Sequence, residues 1–269
     1  MKNHHNIISA NQLHKNQNDP NLIILDATIN KVIDKASIRI PNARFFDIKK
    51  KFSDISAPFP STLPSKAQFE TEAQNLGINK ASWIVVYDDK GIYSSTRVWW
   101  LFKVFGFKNV AVLDGGLPEW QQHNLPVENY TNESYTKGDF EADFHTNLMT
   151  NFEGVNQFLK DENTLIIDAR SQARFQCLVD EPKAGLRRGT IPNSKNLPYP
   201  DLFEGHTLKS VVELSRIFSN LVEEKKTLVF SCGSGITACI LALAATLCNF
   251  KTNLIVYDGS WTEYGSLTD

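Results

Sequence analysis

The sequence predicts an α/β protein made of two tandem copies of one domain, each a mainly parallel sheet covered by helices on both faces. Three observations predict it. Short β-branched runs alternate with helix-like stretches. Motifs of the first half return in the same order in the second. At roughly 150 residues per domain, 269 residues suit two domains.

The first strand is Leu22-Ile-Ile-Leu-Asp26, and it returns as Leu165-Ile-Ile-Asp168, each followed by Ala. Ile40-Pro-Asn-Ala43 has its echo in Ile191-Pro-Asn-Ser194. The strand Trp83-Ile-Val-Val-Tyr87 is matched by Leu228-Val-Phe230, each leading into a turn and then a helix. Val110-Ala-Val-Leu-Asp-Gly-Gly116 returns as Leu254-Ile-Val-Tyr-Asp-Gly-Ser260. The paired aspartates, 26 with 168 and 114 with 258, stand 142 and 144 residues apart. A period of that size means tandem domains rather than a solenoid. Periodicity breaks at Asn129-Tyr-Thr-Asn-Glu-Ser134 and Lys137-Gly-Asp139, so we expect a first domain over 1–130, a linker over 131–149 and a second domain over 150–269. Thr150-Asn-Phe-Glu153 reads as a capping box that opens a helix, and Ser210-Val-Val-Glu213 as another.

Composition narrows the function classes. The chain is 42% apolar and 11% aromatic, enough to fill two cores and too much for disorder. With 28 basic residues against 30 acidic, it has no global field for nucleic acid. The longest nearly apolar run, Ala238 to Cys248, has 11 residues where a membrane span needs roughly 18, so no membrane partner is expected. The first twenty residues, rich in Asn, His and Gln, do not read as a secretory signal. Cysteines at 177, 232, 239 and 248 include no Cys-x-x-Cys pair, which fits neither a disulfide framework nor a zinc site. A cytoplasmic, reducing compartment is expected. The six histidines, at 4, 5, 14, 123, 145 and 206, are scattered and indicate no Cys–His dyad.

Duplicated domains are expected to carry their chemistry where the copies stop agreeing. The second copy reads Ser231-Cys232-Gly233-Ser234-Gly235-Ile236-Thr237-Ala238 and passes at once into a helix. The first reads Asp88-Asp89-Lys90-Gly91-Ile92-Tyr93-Ser94-Ser95, which places Asp89 opposite Cys232. A cysteine on a strand-to-helix turn faces free N–H groups, and the helix dipole favours an anion there. Gly233 and Gly235 let the backbone curl close to the sulfur. Such settings lower a cysteine pKa from ~8.5 into a range of roughly 3.5–7.5. The alternative is a small buried core cysteine. The glycines and the degenerate twin weigh against it. Cys239 and Cys248 read as helix residues packed on the sheet, and Cys177 as an exposed loop residue.

Gly233-Ser-Gly235-Ile-Thr-Ala238 also fits the G-x-G-x-x-G/A dinucleotide fingerprint, with Asp258 as the ribose acceptor. Position counts against it, because only 11 residues follow Asp258 and the twin turn has no fingerprint. The other unusual segment is Asp168-Ala-Arg170-Ser-Gln-Ala-Arg174-Phe with Asp180-Glu-Pro-Lys183-Ala-Gly-Leu-Arg187-Arg188-Gly189. Its five cations in 19 residues follow a strand end, on the sheet edge that carries Cys232. Ligands bind at such edges in open α/β sheets. Guanidinium forks gripping an anionic substrate are one reading; a solvated basic loop paired with Asp180 and Glu181 is the other.

Together these residues resemble the two-domain rhodanese superfamily, and within it the 3-mercaptopyruvate sulfurtransferase type. The resemblance runs from about Asn21 to Gly265 and includes Phe45-Phe46-Asp47, Arg97-Val-Trp99-Trp100 and Asp114-Gly-Gly-Leu117. Thiosulfate-preferring relatives usually carry basic residues after the loop cysteine, where this chain has Gly233-Ser234. The resemblance implies that the Cys232 thiolate takes the sulfur of 3-mercaptopyruvate, releases pyruvate and holds a persulfide. Gly233, Ser234, Gly235, Ile236 and Thr237 would cradle the outer sulfur as an oxyanion hole holds oxygen. It further implies Arg174 as the clamp on carboxylate and keto oxygens, with Lys183 and Arg187 as additional substrate-binding residues. The Ser234 and Thr237 hydroxyls would support the sulfur or leaving group. A thiol acceptor such as thioredoxin or a small reductant would take the sulfur, with no metal or organic cofactor.

Two departures stand out. Lys183 occupies a position that is commonly arginine in the family, and a lysine grips a carboxylate with a single point charge. The stretches Asp47–Lys51 and Phe59–Pro64, with Lys49 and Ser61, lack the histidine that backs the loop serine in many such enzymes. Thiosulfate sulfur transfer and a non-catalytic persulfide carrier or scaffold are the alternatives. Phosphatase relatives have a loop one residue longer, whereas the six residues from Cys232 to Thr237 suit sulfur.

Overall fold

The computed structural model describes residues 6–34, 36–131 and 134–269; His4, His5, Asn132 and Glu133 lie outside them. The chain divides into two compact units. One comprises Met1–Ile55, Leu63–His145 and Gly205–Thr207, the other Ser56–Thr62, Thr146–Glu204 and Leu208–Asp269.

Each unit is built on a five-stranded parallel sheet. In the first the strands lie in the order Ile7–Ile8, Val110–Leu113, Trp83–Tyr87, Leu22–Asp26, Arg44–Phe45. In the second the order is Met149–Thr150, Asn253–Tyr257, Thr227–Ser231, Thr164–Asp168, Lys195–Asn196. Every strand of these two sheets has a twin in the same place.

The central strands read as continuous apolar runs because both sheet faces are covered. In the first unit Ile24, Trp83, Val85 and Tyr87 pack with Leu13, Leu117 and Trp120 of the helices Ala10–Asn16 and Gly116–Gln122. Ile23, Leu25, Ile84 and Val86, which alternation sends to the opposite face, are equally buried. Phenylalanines fill the first unit further, with Phe69 stacked on Phe105 at 4.1 Å and edge-on to Phe102. In the second unit Ile166, Val229, Ile255 and Tyr257 pack with Val155, Trp261 and Tyr264. The helix Ala238–Leu247 is buried from Ala238 through Ala245, so its apolar surface continues all round. The helix Val211–Val222 packs against it and buries Leu214, Phe218 and Val222.

Backbone details repeat as well. Asn42 and Asn193, the echoing asparagines, both take left-handed φ, 64° and 57°, a conformation asparagine tolerates. Gly116 and Ser260 do the same at φ 54° and 50°.

Two expectations are adjusted. Ser210 and Glu213 form the anticipated capping box. The helix Phe152–Phe158, by contrast, is capped by Asn151, whose side chain accepts from the Gly154 amide, while Thr150 is taken up by the edge strand. Residues 138–145, assigned to the linker, are tied to the first unit: the Gly138, Phe140, Asp143 and His145 amides donate to Gln74, Ile78, Phe105 and Val104 carbonyls. Among the described residues no helix is long and apolar enough to cross a membrane, and all four cysteines are free.

Candidate active site

Cys232 follows directly on the strand Thr227–Ser231, at the carboxyl edge of the parallel sheet, and six residues (232–237) separate that strand from the helix starting at Ala238. Its side chain is buried. The loop is pinned from the twin of the Asp-Gly-Gly turn. The Ser260 hydroxyl accepts from the Cys232 amide at 3.0 Å and the Gly235 amide at 3.1 Å, and lies 3.9 Å from the Cys232 Sγ. The Trp261 amide donates to the Cys232 carbonyl, and the Thr262 amide and hydroxyl both donate to the Gly233 carbonyl. Gly235 takes the left-handed φ of 73° that bends the loop back. Among the described residues the amides of Gly233, Ser234, Ile236 and Thr237 have no protein acceptor, and the Thr237 side chain does not cap the helix.

The first unit shows what the equivalent loop binds there. Strand register pairs Asp26 with Tyr87 and Asp168 with Ser231. Asp88 therefore stands where Cys232 stands, one residue earlier than the sequence alignment placed it. The mismatch arises because the first loop spans seven residues, 88–94, rather than six. The Asp88 carboxylate accepts from the amides of Lys90 (3.0 Å), Tyr93 (2.8 Å) and Ser95 (2.8 Å). Counted from the strand at one end and the helix at the other, their twins are Ser234, Ile236 and Ala238. Burial pushes the Asp88 carboxyl up, and its hydrogen bonds from Ser95, Tyr93 and Lys90 oppose that. An acid group thus fills the cradle in one copy, and a cysteine stands at the same point in the other.

Arg174 reaches this loop. It lies on the short helix Gln172–Phe175, capped by Ser171. A Cβ added at Gly233 would sit 3.0 Å from its Nη2, so the glycine leaves room for the guanidinium. Arg174 is held by Glu181, through Nη2 at 2.5 Å and Nε at 3.3 Å. Arg170 is fully buried; it grips Asp168, Glu181 and the Gly189 carbonyl and lies 4.9 Å from the Trp261 ring centroid. Burial pushes the Asp168 carboxyl up while Arg170 opposes it.

The remaining cations of the basic segment diverge. Lys183 is exposed, its Nζ 5.8 Å from the Phe59 ring centroid. Arg187 stacks on Trp261 at 4.7 Å and donates to the Thr268 carbonyl and hydroxyl, at the end of the chain's last helix. Arg188 forms an exposed pair with Asp180 at 2.8 Å. Glu181 belongs to no solvated loop: its side chain is 1% exposed. Sequence reasoning missed Glu181, Ser260 and Thr262. The signal for Ser260 was present in the echo, where Asp-Gly-Gly becomes Asp-Gly-Ser. A cleft of about 470 Å³ lined by Lys160, Asp161, Thr164 and Lys225 lies at the opposite, amino-terminal edge of the second sheet. Among the described residues no group of His, Cys, Asp and Glu is placed to hold a metal.

Comparison with known proteins gives the family. The rhodanese-like domain model matches the chain twice, over residues 9–123 and 152–267. The chain is 36% identical to thiosulfate/3-mercaptopyruvate sulfurtransferase 1, mitochondrial, of Arabidopsis thaliana, covering 98% of this chain and 76% of that protein. It is 35% identical to 3-mercaptopyruvate sulfurtransferase of Escherichia coli K12, covering 97% and 95%. The crystal structure of SseA from Escherichia coli superposes with a TM-score of 0.83 at 33% identity, covering 96% of this chain and 99% of that one. The chain belongs to the rhodanese-like family, as a tandem member whose second copy carries the cysteine loop.

Proposed function

We propose that this protein is a 3-mercaptopyruvate sulfurtransferase that works through a persulfide on Cys232. The observation that carries the reading is the filled cradle of the first unit. Three amides converge there on a carboxylate, and their twins, at the same loop positions after Cys232, are the donors an extra sulfur on Cys232 would use.

The Cys232 thiolate attacks the sulfur of 3-mercaptopyruvate. The carbon–sulfur bond breaks, its electron pair passes to the methylene carbon, and that carbon takes up the substrate's thiol proton to give pyruvate. The outer persulfide sulfur keeps the negative charge, and the amides of Ser234, Ile236 and Ala238 stabilise it without reorganising. Ser260, Gly235 and Thr262 hold the loop in that shape. Arg174 binds the carboxylate and keto oxygens, and Lys183 adds a point charge from the rim. The Ser234 and Thr237 hydroxyls face the leaving group. Arg187 supports the site through Trp261. A thiol acceptor such as thioredoxin or a small reductant then attacks the outer sulfur and restores the thiolate, so no cofactor is consumed. Free thiols fit a cytoplasmic setting.

Thiosulfate is the second donor, since the Arabidopsis relative's name carries both substrates; Gly233-Ser234, with no cation after the cysteine, favours the keto acid. Sulfide release with dithiothreitol tests the proposal. Turnover with 3-mercaptopyruvate, lost in Cys232→Ser, supports it. Turnover with thiosulfate alone moves the protein to the other donor, and turnover with neither leaves a carrier or scaffold.

A further inference from the structure

Beyond the residues that touch substrate, we infer that Glu181 is a positioning residue that sets substrate affinity by aiming Arg174 across the cysteine loop. The inference rests on the proposed reaction. Glu181 is a buried carboxylate with cations on two sides. Oε1 accepts from Arg170 Nη1 at 2.8 Å and from Arg174 Nε at 3.3 Å, and Oε2 accepts from Arg174 Nη2 at 2.5 Å.

The two arginines play different parts. Arg170 is bonded to Asp168, Glu181 and Gly189 and is fully buried, so it anchors Glu181 and presents no surface to a ligand. Arg174 is 23% exposed and uses Nε and Nη2 on Glu181. That two-point grip fixes the guanidinium plane, with Nη2 beside Gly233 and Nη1 without an acceptor among the described residues. An arginine released from it would sample many rotamers at the mouth of the loop. Nη1 is then the donor presented to the substrate's oxygens, and its direction is set by Glu181.

The experiment separates positioning from mere charge balance. KM and kcat for 3-mercaptopyruvate are measured in Glu181→Gln. In parallel, dithiothreitol, which carries no carboxylate, discharges enzyme already loaded with persulfide. We expect KM to rise about tenfold, a change that corresponds to about 1.4 kcal/mol, with the discharge rate within twofold of wild type. Glu181→Asp keeps the charge that Arg170 needs but is too short to hold both arginines. It is expected to raise KM in the same direction at a near-native Tm, and it carries the test if Glu181→Gln does not fold. Unchanged KM in either folded variant overturns the inference, as does a discharge rate that falls in step with kcat/KM. Absence of loading in the wild type would instead overturn the proposed reaction. In that case KM for thiosulfate, whose oxygens also need Arg174, is expected to rise in Glu181→Asp, and an unchanged value overturns the inference.

Discussion

Asp88 and Cys232 occupy the same point of the duplicated fold, each one residue past the end of its central strand. Asp88 turns its carboxylate into the loop amides, whereas among the described residues the Ser234 and Ile236 amides that follow Cys232 meet no protein acceptor. Duplication has therefore produced one loop whose amides a carboxylate fills and a twin loop with a cysteine at the same point. Asp88→Ala is expected to leave the buried Ser95 N–H unsatisfied, at about 1–3 kcal/mol before relaxation, while the part-buried Lys90 and Tyr93 amides can turn to water. Calorimetry should show a lowered transition. Cys232 should still load sulfur below it, and an unshifted transition would mean the cradle of the first unit bears no load.

Ser260 holds the cradle from below, in a left-handed conformation that a non-glycine residue adopts at a cost of about 1 kcal/mol or more. Ser260→Gly removes both the hydroxyl and that strain; Ser260→Ala removes the hydroxyl alone. Both should slow sulfur loading tenfold or more, roughly the penalty for a small misplacement of reacting groups. The glycine variant should be the more stable by about 1 kcal/mol. Rapid-quench loading with urea denaturation of each variant checks the pair of effects.

Arg174 and Arg187 should separate cleanly. Arg174→Ala is expected to raise KM for 3-mercaptopyruvate by tenfold or more, as befits loss of a charge-assisted contact. Arg187→Ala should instead lower Tm, because its guanidinium stacks on Trp261 and ties down Thr268, and should leave KM within about twofold. Steady-state kinetics beside thermal melts distinguish the two. A large KM effect at Arg187 would return it to the substrate.

Lys103, on the helix Ser95–Val104, carries the pH dependence most open to measurement. Burial lowers its pKa to about 8, with Lys108 pushing the same way. The folded state therefore releases this proton more readily than the unfolded chain. The Lys103 contribution to stability rises as pH climbs from about 8 toward 10.5 and is at its least favourable below 8. Lys103→Met should be more stable than wild type at pH 7. The difference should shrink across that window, and a constant difference would contradict the assignment.

Much of this was legible in the sequence, for physical reasons. Strand echoes and glycine-flanked Cys232 are local patterns, and a parallel sheet buried on both faces writes its strands as apolar runs. What stayed hidden depends on three dimensions. Asp89 was set opposite Cys232 because the first loop is one residue longer, and only strand register shows the twin to be Asp88. Glu181 and Asp180 are neighbours of like charge in the sequence, yet one is buried between two arginines and the other is solvated with Arg188. Arg187 lies in the basic segment of the sequence, and its contacts with Trp261 and Thr268, distant along the chain, appear only in the structure.

The most direct test is the intact mass of the reduced protein after brief exposure to 3-mercaptopyruvate, with Cys232→Ser alongside. The account predicts a gain of one sulfur, about 32 Da, on the wild type alone, removed by dithiothreitol as sulfide, since the persulfide is the intermediate that the loop amides stabilise. No gain, or the same gain in Cys232→Ser, would contradict it.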